Sequence, residues 1–549
     1  MRPGVEALLK EALRAWYSGG VVVFEAPTGY GKTRAGPLLY NALPRGGRVI
    51  HVLPLRSIVE EAYRAYREGV KGPASIGYQA HGLSLAGKTP FYAADAVVST
   101  LDSFTFNLYR SSVGERGLGH YEVPRAHIVS SITIMDEAHL PLTSREAPAT
   151  AMAATIYSLY TMRVPLVVET ATMPPRLLRA LLELALPPGA RVVYLEVTPP
   201  GGAGRPRWLP EGVEYHAVAD GDYYEWASSL EWRYYPIPAA TLEDVVEVAA
   251  RLVESGLRVF LASSTVRGAI DYYKALAERL GGEGVALIHG RLTVSDREEH
   301  LKRSQGASVV VGTSAVEAGV NIDADAVITD VPVVEGAPAW DSIIQRLGRA
   351  CRSPKHACDG VDVYLYGTRA AEAYKQLAGR GVNPRVPESY RGLLDSSAGL
   401  SIDPSRYGRL VELALRHAPH ARISEVYREL CQPLRGDALV PIVIPSPDAP
   451  EGDPAGLARD ALEALEAGRY VLASLSNTQR RARDWLLRLD GGYAALRLDY
   501  AEGSRGHPED LEAEIVSVSH EVLGNCSRMA GLAALISRPG AYEPGVGMP

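Results

Sequence analysis

The stretch APTGYGKT, residues 26–33, directly follows the apolar run from Val21 to Phe24. A strand that breaks into a glycine-rich loop ending in Lys-Thr is typical of a phosphate-binding loop. The glycines let successive backbone N–H groups turn toward a phosphate, and the following helix adds the positive end of its dipole. Position 26, where the strict pattern has Gly, is Ala. The predicted nucleotide-binding residues are Thr28, Gly29, Tyr30, Gly31, Lys32 (for the β- and γ-phosphates) and Thr33 (as a ligand of Mg²⁺).

A second motif lies about a hundred residues further on, where the apolar run Ile132–Met135 ends at Asp136, Glu137 and His139. Carboxylates at the carboxyl end of a strand lie where open α/β sheets bind ligands. We expect Asp136 to hold Mg²⁺ and Glu137 to orient and deprotonate an attacking water. His139 is better suited to sensing the nucleotide state through a hydrogen bond. Together with the phosphate loop, this motif predicts a nucleotide hydrolysis site.

Composition narrows the class of protein. The 549 residues are 46% hydrophobic and 22% charged, which is typical of a soluble globular protein with several domains. No apolar run of about 18 residues is present, so no membrane span is predicted. Four cysteines in so long a chain favour reduced thiols and a cytoplasmic location. Cys351, His356 and Cys358 lie close together, but no second Cys/His pair has ligand spacing, so we do not favour zinc. A net charge of −7 excludes a broadly basic surface, and nucleic acid would need a local groove.

Strand-like and helical runs alternate from residue 48 to about residue 193, which predicts a parallel sheet flanked by helices. The Pro/Gly-rich stretch at residues 198–212 is a candidate inter-domain connection. Alternation resumes near residue 236 and predicts a second α/β domain without a phosphate loop. Residues beyond 370 predict an accessory α+β domain. The expected domains are 1–200, 201–370 and 371–549.

The second α/β domain still carries residues suited to nucleotide chemistry. In the segment QRLGRACR, Gln345, Arg349 and Arg352 recur at three- and four-residue spacing, which places the two arginines on one helix face. Although arginines on a helix are most often solvated, a motif just upstream favours a catalytic role. The apolar strand at 309–311 is followed by Thr313, Glu317, Gly319 and Asp323, which we expect near the cleft, with Glu317, Gly319 and Asp323 binding nucleotide. Arg349 and Arg352 are then candidates to clamp a γ-phosphate held by the first domain.

These motifs as a set resemble the core of a superfamily 2 helicase. APTGYGKT and DEAH belong to one domain, and VGTSAVEAGVNID and QRLGRACR to the other, so the resemblance covers residues 1 to about 370. It implies two tandem RecA-like domains. It also implies coupling roles for His139, Thr170 and Thr172, the last two in the segment TATMP, and contacts with a nucleic-acid backbone from Pro54, Arg56, Thr100 and Thr313.

TATMP, HGRLTVSDRE (residues 289–298) and VEAGVNIDAD more narrowly resemble the helicase of type I CRISPR interference. Full-length members of that family have an N-terminal HD nuclease domain with adjacent His-Asp ligands. None of the 13 histidines here is followed by Asp, and the first strand begins near residue 21. The expectation is therefore the stand-alone helicase form, with its nuclease on a separate chain. No Gln precedes Gln79, so the preference for ATP over other nucleotides is implied by the family alone.

The predicted function is ATP-dependent translocation on single-stranded DNA, 3′-to-5′ by resemblance, together with a CRISPR surveillance complex and a separate HD nuclease. Two alternatives stay open: a DNA-repair or RNA helicase of the same superfamily, and a nucleic-acid-gated ATPase switch that does not unwind. In the accessory domain, Trp485 is expected in the core of an amphipathic helix rather than on a base-stacking surface. The last residues, 539–549, are expected to be disordered.

Overall fold

Eight parallel strands form the sheet of the first domain. The structure is a computed structural model, and it describes residues 1–80, 87–110, 122–144, 146–202, 204–237, 241–313, 322–334, 336–352, 358, 360–395, 402–415, 439–447, 449, 453–500, 511–529 and 532–549. The strands of the first sheet are β1 (Val21–Glu25), β2 (Val49–Leu53), β3 (Ile76–Gln79), β4 (Ala96–Thr100), β5 (Ile132–Met135), β6 (Leu166–Thr170), β7 (Val192–Thr198) and β8 (Val213–Ala219). Their order across the sheet is β3-β4-β2-β5-β6-β1-β7-β8.

Both faces of this sheet are buried, as the continuous apolar runs of its central strands require. Along β1, Val21 and Val23 pack in the core on one face, whereas Val22 and Phe24 pack in the core on the other. The two faces are covered by helices α1 (Pro3–Ser18), α2 (Lys32–Ala42), α3 (Arg56–Gly69), α4 (Leu101–Leu108), α5 (Glu122–Val129), α6 (His139–Ser144), α7 (Glu146–Thr161), α8 (Pro175–Ala185) and α9 (Gly221–Ser229).

The second domain repeats this architecture with six parallel strands. They are β9 (Glu231–Pro236), β10 (Val259–Ala262), β11 (Val285–Ile288), β12 (Val309–Gly312), β13 (Ala326–Asp330) and β16 (Gly360–Tyr366), in the order β11-β12-β10-β13-β16-β9. A short hairpin, β14 (Val333–Val334) with β15 (Ala337–Pro338), follows β13. The helices are α10 (Leu242–Glu254), α11 (Val266–Leu280), α12 (Val294–Arg303), α13 (Trp340–Leu347), α14 (Ala370–Gly379) and α15 (Pro387–Leu394).

The C-terminal part forms a smaller mixed sheet. Its strands are β17 (Leu439–Val443), β18 (Tyr470–Ser474), β19 (Arg488–Leu489), β20 (Gly492–Tyr500), β21 (Leu511–Val518) and β22 (Ala534–Ile536), ordered β18-β17-β22-β20-β19 with β21 beside β20. The helices of this part are α16 (Pro404–Leu415), α17 (Pro454–Glu466), α18 (Leu475–Trp485), α19 (His520–Leu523) and α20 (Cys526–Met529). The expected fold class, two RecA-like parallel-sheet domains with an α+β accessory domain, is confirmed. Within the described residues, no helix combines the length and apolarity that crossing a bilayer requires.

The sheets divide the chain at later positions than those expected at residues 200 and 370. The Pro/Gly-rich stretch at 198–212 joins β7 to β8, two neighbouring strands of the first sheet, so it does not connect two domains. On the C-terminal side, α14 and α15 contribute side chains to the core of the second domain. Helix α16 packs against α7 of the first domain, where Leu410 and Ala414 are buried. We therefore place the three sheets within residues 21–219, 231–366 and 439–536.

The final residues, 539–549, are ordered, and the prediction of disorder was wrong. Met548 is fully buried, and its backbone N–H donates to the Arg291 carbonyl oxygen over 3.2 Å. Lys274 of α11 pairs with Glu543 at 2.6 Å. Gly and Pro residues suggested a flexible end, but the segment is held by partners about 250 residues earlier in the chain, which local composition does not reveal. We call residues 539–549 the C-terminal tail.

Candidate active site between the two parallel sheets

The loop between β1 and α2 has the shape expected of a phosphate-binding loop. Gly29 and Gly31 have φ angles of +78° and +104°, in the left-handed region that favours glycine. Helix α2 begins at Lys32, so its N-terminus faces the loop. The Lys32 ammonium is folded over the loop, and its Nζ donates to the carbonyl oxygens of Ala26 and Pro27 over 3.2 and 3.4 Å.

Two loop residues hold the loop in place through their side chains. The Tyr30 ring is buried, and its hydroxyl donates to Asp220 over 2.7 Å while it accepts from the Gly4 N–H over 3.0 Å. The Thr28 hydroxyl donates to the carbonyl oxygen of Pro384 over 3.2 Å. Tyr30 and Thr28 were predicted to bind nucleotide; their side chains anchor the loop, although both residues still line the cleft described below.

Asp136 stands at the end of β5 beside the loop. Its Oδ2 accepts from the Thr33 hydroxyl over 3.2 Å, and its Oδ1 accepts from the Glu137 N–H over 2.8 Å. Burial opposes ionisation of Asp136, but the neighbouring His51 ring and the Lys32 charge outweigh it, and the pKa of Asp136 lies below its ordinary value. A hydroxyl and a carboxylate oxygen at this separation are the hard donors that Mg²⁺ prefers, so Thr33 and Asp136 fit the predicted metal site.

Two buried polar residues flank Asp136, His51 on β2 and Glu169 on β6. One ligand atom from each of the three residues lies within 4.8 Å of the others, and His51 Nε2 is 3.6 Å from Asp136 Oδ2. Burial, reinforced by the charge of Asp136, raises the pKa of Glu169 well above its ordinary value. Burial therefore disfavours the charged form of Glu169. Neither neighbour was predicted, although an ionisable residue inside an apolar strand run was a signal for them.

Gln345 of the second domain contacts two of the predicted coupling residues, His139 and Thr172, in the first domain. Its amide Nε2 donates to the Thr172 hydroxyl over 3.0 Å and lies 3.3 Å from His139 Nε2. His139 Nδ1 is 3.2 Å from the Thr170 hydroxyl and 3.4 Å from the Glu137 carboxylate. Burial lowers the pKa of His139, so the ring is neutral, with Nε2 accepting from Gln345 and Nδ1 carrying the proton. Gln345 was grouped with the catalytic residues; its amide bonds to the coupling residues, although the side chain also borders the cleft.

Arg349 and Arg352 face the phosphate loop across a cavity of about 740 Å³. They were predicted to lie on one face of a helix, but α13 ends at Leu347 and both arginines follow it. Burial, together with the charge of Arg352, lowers the pKa of Arg349 to about 9. A cation held in this way favours an anion beside it. The Asp323 carboxylate accepts from the Arg352 backbone N–H over 2.7 Å and so fixes the turn after α13. The predicted residues that line the cavity are Thr28, Gly29, Tyr30, Gly31, Lys32, Thr33, Glu137, Asp323, Gln345, Arg349 and Arg352.

The predicted nucleic-acid contacts lie at the carboxyl ends of parallel strands. Pro54 and Arg56 follow β2 and are half-buried, and Thr313 follows β12. The Thr100 side chain is buried and caps α4, where its oxygen accepts from the Ser103 N–H over 3.3 Å. Predicted residues Glu317 and Gly319 lie outside the described residues.

The turn after α13 contains a disulfide bond between Cys351 and Cys358. Cys351 has a φ of +45°, and its Cα atom lies 6.1 Å from that of Cys358. The expectation of reduced thiols was therefore wrong for this pair. A spacing of seven residues, without a metal-ligand pattern elsewhere, is compatible with reduced thiols and with a disulfide bond. The same bond removes both sulfurs from the zinc site that the sequence analysis considered.

Family models match both α/β domains. Residues 8–181 match the DEAD/DEAH box helicase model, and residues 255–355 match the model described as CRISPR-associated nuclease/helicase Cas3, C-terminal. The first α/β domain is therefore similar to the DEAD/DEAH box helicase domain, and the second is similar to the C-terminal region of Cas3.

The chain is also similar to individual proteins. The chain is 24% identical over 398 residues to the CRISPR-associated helicase Cas3 of Thermoproteus tenax, which covers 68% of this chain and 61% of the relative. The crystal structure of T. fusca Cas3-AMPPNP has a TM-score of 0.56 at 17% identity, covering 90% of this chain and 66% of that one. The DUF1998 helicase MrfA bound to DNA has a TM-score of 0.54 at 14% identity, covering 93% and 75%. The chain thus spans about three fifths of the length of its curated relative, and the fold alone does not distinguish Cas3 from MrfA.

Proposed function

We propose that this chain uses ATP hydrolysis to move along single-stranded DNA, in the 3′-to-5′ direction, during type I CRISPR interference. The observation that supports the proposal best is the cleft, where Lys32 and Glu137 of one domain face Arg349 and Arg352 of the other. A nucleotide site shared between two domains links binding and hydrolysis to a hinge motion, because its contacts exist in only one of the two states.

In the first step, the triphosphate of ATP binds over the loop between β1 and α2. Lys32 Nζ leaves the carbonyl oxygens of Ala26 and Pro27 and pairs with phosphate oxygens instead. Mg²⁺, held by Thr33 and Asp136, would neutralise phosphate charge. Glu137 orients the attacking water and takes its proton.

The second step is closure around the γ-phosphate. The charge of Arg349 is buried beside that of Arg352, so an anion between them relieves their repulsion. Planar guanidinium groups match the charge that develops on a transferred phosphoryl group. After hydrolysis the anion that held the two domains together is lost, and the cleft opens.

The nucleotide state reaches the DNA strand through the contacts of Gln345 with His139 and Thr172, which cross between the domains. Pro54, Arg56, Thr100 and Thr313 are proposed to hold the sugar-phosphate backbone. Since the Thr100 hydroxyl is used as a helix cap, this position would contribute backbone N–H groups. Such contacts carry little sequence information, so translocation should tolerate any sequence.

The proposed partners are a CRISPR surveillance complex and an HD nuclease on a separate chain, in the cytoplasm. Two facts support them: the relative from Thermoproteus tenax is a CRISPR-associated helicase, and none of the 13 histidines is followed by Asp. Purified protein should leave labelled DNA intact with Mg²⁺, Mn²⁺, Ni²⁺ or Co²⁺, and an added HD-domain protein should restore cleavage. Cleavage of DNA by this chain alone would contradict a nuclease on a separate chain.

Strand displacement tests the proposed activity. Duplexes with a 3′ or a 5′ single-stranded tail, in DNA and in RNA versions, are incubated with ATP and with Lys32→Ala protein as the control. We expect displacement of the duplex with a 3′ DNA tail. Unwinding of RNA alone would favour an RNA helicase, and ATP hydrolysis without unwinding of any duplex would favour an ATPase switch.

A second candidate is a DNA helicase that acts outside CRISPR interference, since the fold is nearly as similar to that of MrfA, which was solved bound to DNA. Target DNA loaded with a type I surveillance complex separates the two candidates. Recruitment of the chain to that complex supports the first, and unwinding of free tailed DNA with no response to the complex supports the second.

A further inference from the structure

Residues 382–394, which we call the bridging segment, belong to the second domain by packing but bond to the first domain. Val382, Tyr390, Leu393 and Leu394 are buried in the core of the second domain. The polar groups of the same segment extend to the phosphate loop and to the ends of two strands of the first sheet. The sequence motifs gave no reason to single out this segment, which follows α13 by about 35 residues.

Arg385 in this segment bonds to both sides of the cleft. Its Nη1 donates to the Thr28 carbonyl oxygen over 2.6 Å and to the Thr28 hydroxyl over 3.1 Å. Its Nη2 donates to the carbonyl oxygens of Gly348 and Ala350 over 3.0 and 2.7 Å. Gly348 and Ala350 flank Arg349 in the chain, so one guanidinium joins the phosphate loop to the backbone that carries Arg349.

The close approach of this guanidinium explains a glycine of the loop. A Cβ atom at Gly29 would lie 2.8 Å from Arg385 Nη1, closer than real Cβ contacts occur. Arg385 is fully buried behind the loop. Arg385 is not among the residues that line the cavity, so any effect on hydrolysis must pass through the groups that it holds.

Two neighbours of Arg385 anchor the segment to the first domain. Arg391 Nη2 donates to Glu25 at the end of β1 over 3.0 Å and to Glu196 on β7 over 2.6 Å. The Tyr390 hydroxyl donates to the carbonyl oxygen of Ala171, between Thr170 and Thr172, over 3.3 Å. The segment is thereby fixed beside the loop independently of any nucleotide.

We propose that Arg385 is a positioning residue that links the phosphate loop to Arg349, so that movement of the loop on nucleotide binding places the Arg349 guanidinium. The inference rests on the proposed hydrolysis at this cleft. The planar fork of Arg385 spans the two sides at once, whereas a Lys at this position could reach only one of them. Burial lowers the pKa of Arg385 to about 10, and the guanidinium still carries its charge at neutral pH.

A double-mutant cycle tests the link. In Arg385→Ala, the DNA-stimulated kcat should fall by roughly 100-fold, as a small misplacement of a catalytic group does. The KM for ATP should change by less than about threefold, because Lys32 and the loop amides make the ground-state contacts. If Arg385 acts through Arg349, the double variant Arg385→Ala/Arg349→Ala should have the kcat of Arg349→Ala alone.

Arg346→Ala is the matched control. Arg346 is also a fully buried arginine of the second domain, but its Nη1 donates within that domain, to Thr329 over 2.9 Å and to the Asp330 carbonyl oxygen over 3.1 Å. Its loss should lower stability without the non-additive pattern with Arg349. Arg385→Lys keeps the charge and one side of the link, and it replaces Arg385→Ala in the cycle if that variant does not fold. It should show the same non-additivity with Arg349→Ala and a smaller fall in kcat. Independent, multiplicative effects of Arg385 and Arg349, or wild-type kcat in Arg385→Ala, would overturn the proposal.

An equilibrium measurement separates this inference from the proposed function. Spin labels at the exposed positions of Glu183 in the first domain and Glu254 in the second report the interdomain distance with a non-hydrolysable ATP analogue. The analogue should narrow the distance distribution in wild type and leave it broad in Arg385→Ala. Wild-type narrowing in the variant would reject the link. Failure of wild type to hydrolyse ATP with DNA would reject the proposed function and leave this readout valid.

Discussion

In the proposed mechanism Lys32 and Glu137 act on the same nucleotide at different stages, and their variants should differ accordingly. Lys32→Ala removes the charge that compensates the phosphates, so both binding and hydrolysis of ATP should be lost. Glu137→Gln keeps the shape of the side chain and loses the base, so ATP should still bind while turnover stops. Titration with a fluorescent ATP analogue checks this, with single-turnover hydrolysis alongside. Equal loss of binding in both variants would show that their roles are not separate.

In the proposed mechanism Arg349 approaches the nucleotide from the second domain, so its charge should act mostly in the transition state. Arg349→Ala should lower DNA-stimulated turnover by roughly 10³-fold while ATP affinity stays within about tenfold. Arg352→Ala should act in the same direction, with a size that its position after α13 does not determine. Steady-state kinetics measure the turnover of these variants, and equilibrium binding of ATP measures their affinity. A parallel loss of affinity and turnover would mean that Arg349 contributes uniform ground-state binding.

At the scale of single residues, the sequence predicts those parts of the candidate site whose residues lie close together in the chain. The loop from residue 26 to residue 33 and the pair Asp136–Glu137 could be predicted because strand, turn and helix signals lie side by side in the chain. Arg385 could not, because its partner Thr28 is 357 residues away. Thr100 was predicted to contact the nucleic-acid backbone, but its side chain instead caps the N-terminus of α4.

Among the elements, the C-terminal tail shows how two histidines can hold a segment that composition predicts to be loose. His289 Nε2 donates to the Val546 carbonyl oxygen over 2.8 Å, and His300 Nε2 donates to that of Gly545 over 2.7 Å. In each ring, Nδ1 accepts a backbone N–H, from Arg291 in one case and from Leu287 in the other. Both rings must therefore be neutral, because a proton on Nδ1 would face an N–H group.

This arrangement predicts that acid releases the tail. Burial lowers the pKa of His289 from 6.5 to about 4, with a smaller contribution from Arg291. Because the unfolded chain binds the proton more readily, the stabilisation is complete above pH 6.5 and is lost as the pH falls toward 4. Hydrogen-exchange protection factors of the Gly545 and Met548 amides should fall over that range.

The matched control for the tail is the double variant His289→Gln/His300→Gln. Gln also has a donor and an acceptor but does not titrate, so any protection that this variant retains should not depend on pH in this window. If wild type and the Gln variant lose protection in parallel, titration of the histidines is not the cause.

The C-terminal tail also helps to attach the accessory sheet to the second domain. It packs on His289 to Asp296 of the second domain, and the Arg291 guanidinium lies 4.9 Å from the ring of Trp485 in the accessory domain. Trp485 is buried, as expected of the core position on α18. The accessory domain is thereby attached to the second domain and should move with it when the cleft opens.

For the whole molecule, alternation of strands and helices was enough to predict two parallel sheets and their order along the chain. The limits of the domains could not be read in the same way. β8 adds to the first sheet after a Pro/Gly-rich stretch, and α16 returns to pack on α7, since the apolar faces of these elements are covered only when distant parts of the chain meet. The disulfide bond between Cys351 and Cys358 likewise depends on a turn that the cysteine spacing does not specify.

The central claim is that a DNA strand and ATP act on one cleft between two domains. The steady-state rate of ATP hydrolysis, measured with and without single-stranded DNA, tests it most directly. Strand binding orders Lys32, Glu137 and Arg349 around the nucleotide, so hydrolysis should be slow alone and rise by at least roughly tenfold with DNA, equivalent to about 1.4 kcal/mol of barrier. Lys32→Ala should show no rate in either case. A wild-type rate that no nucleic acid changes would contradict the account.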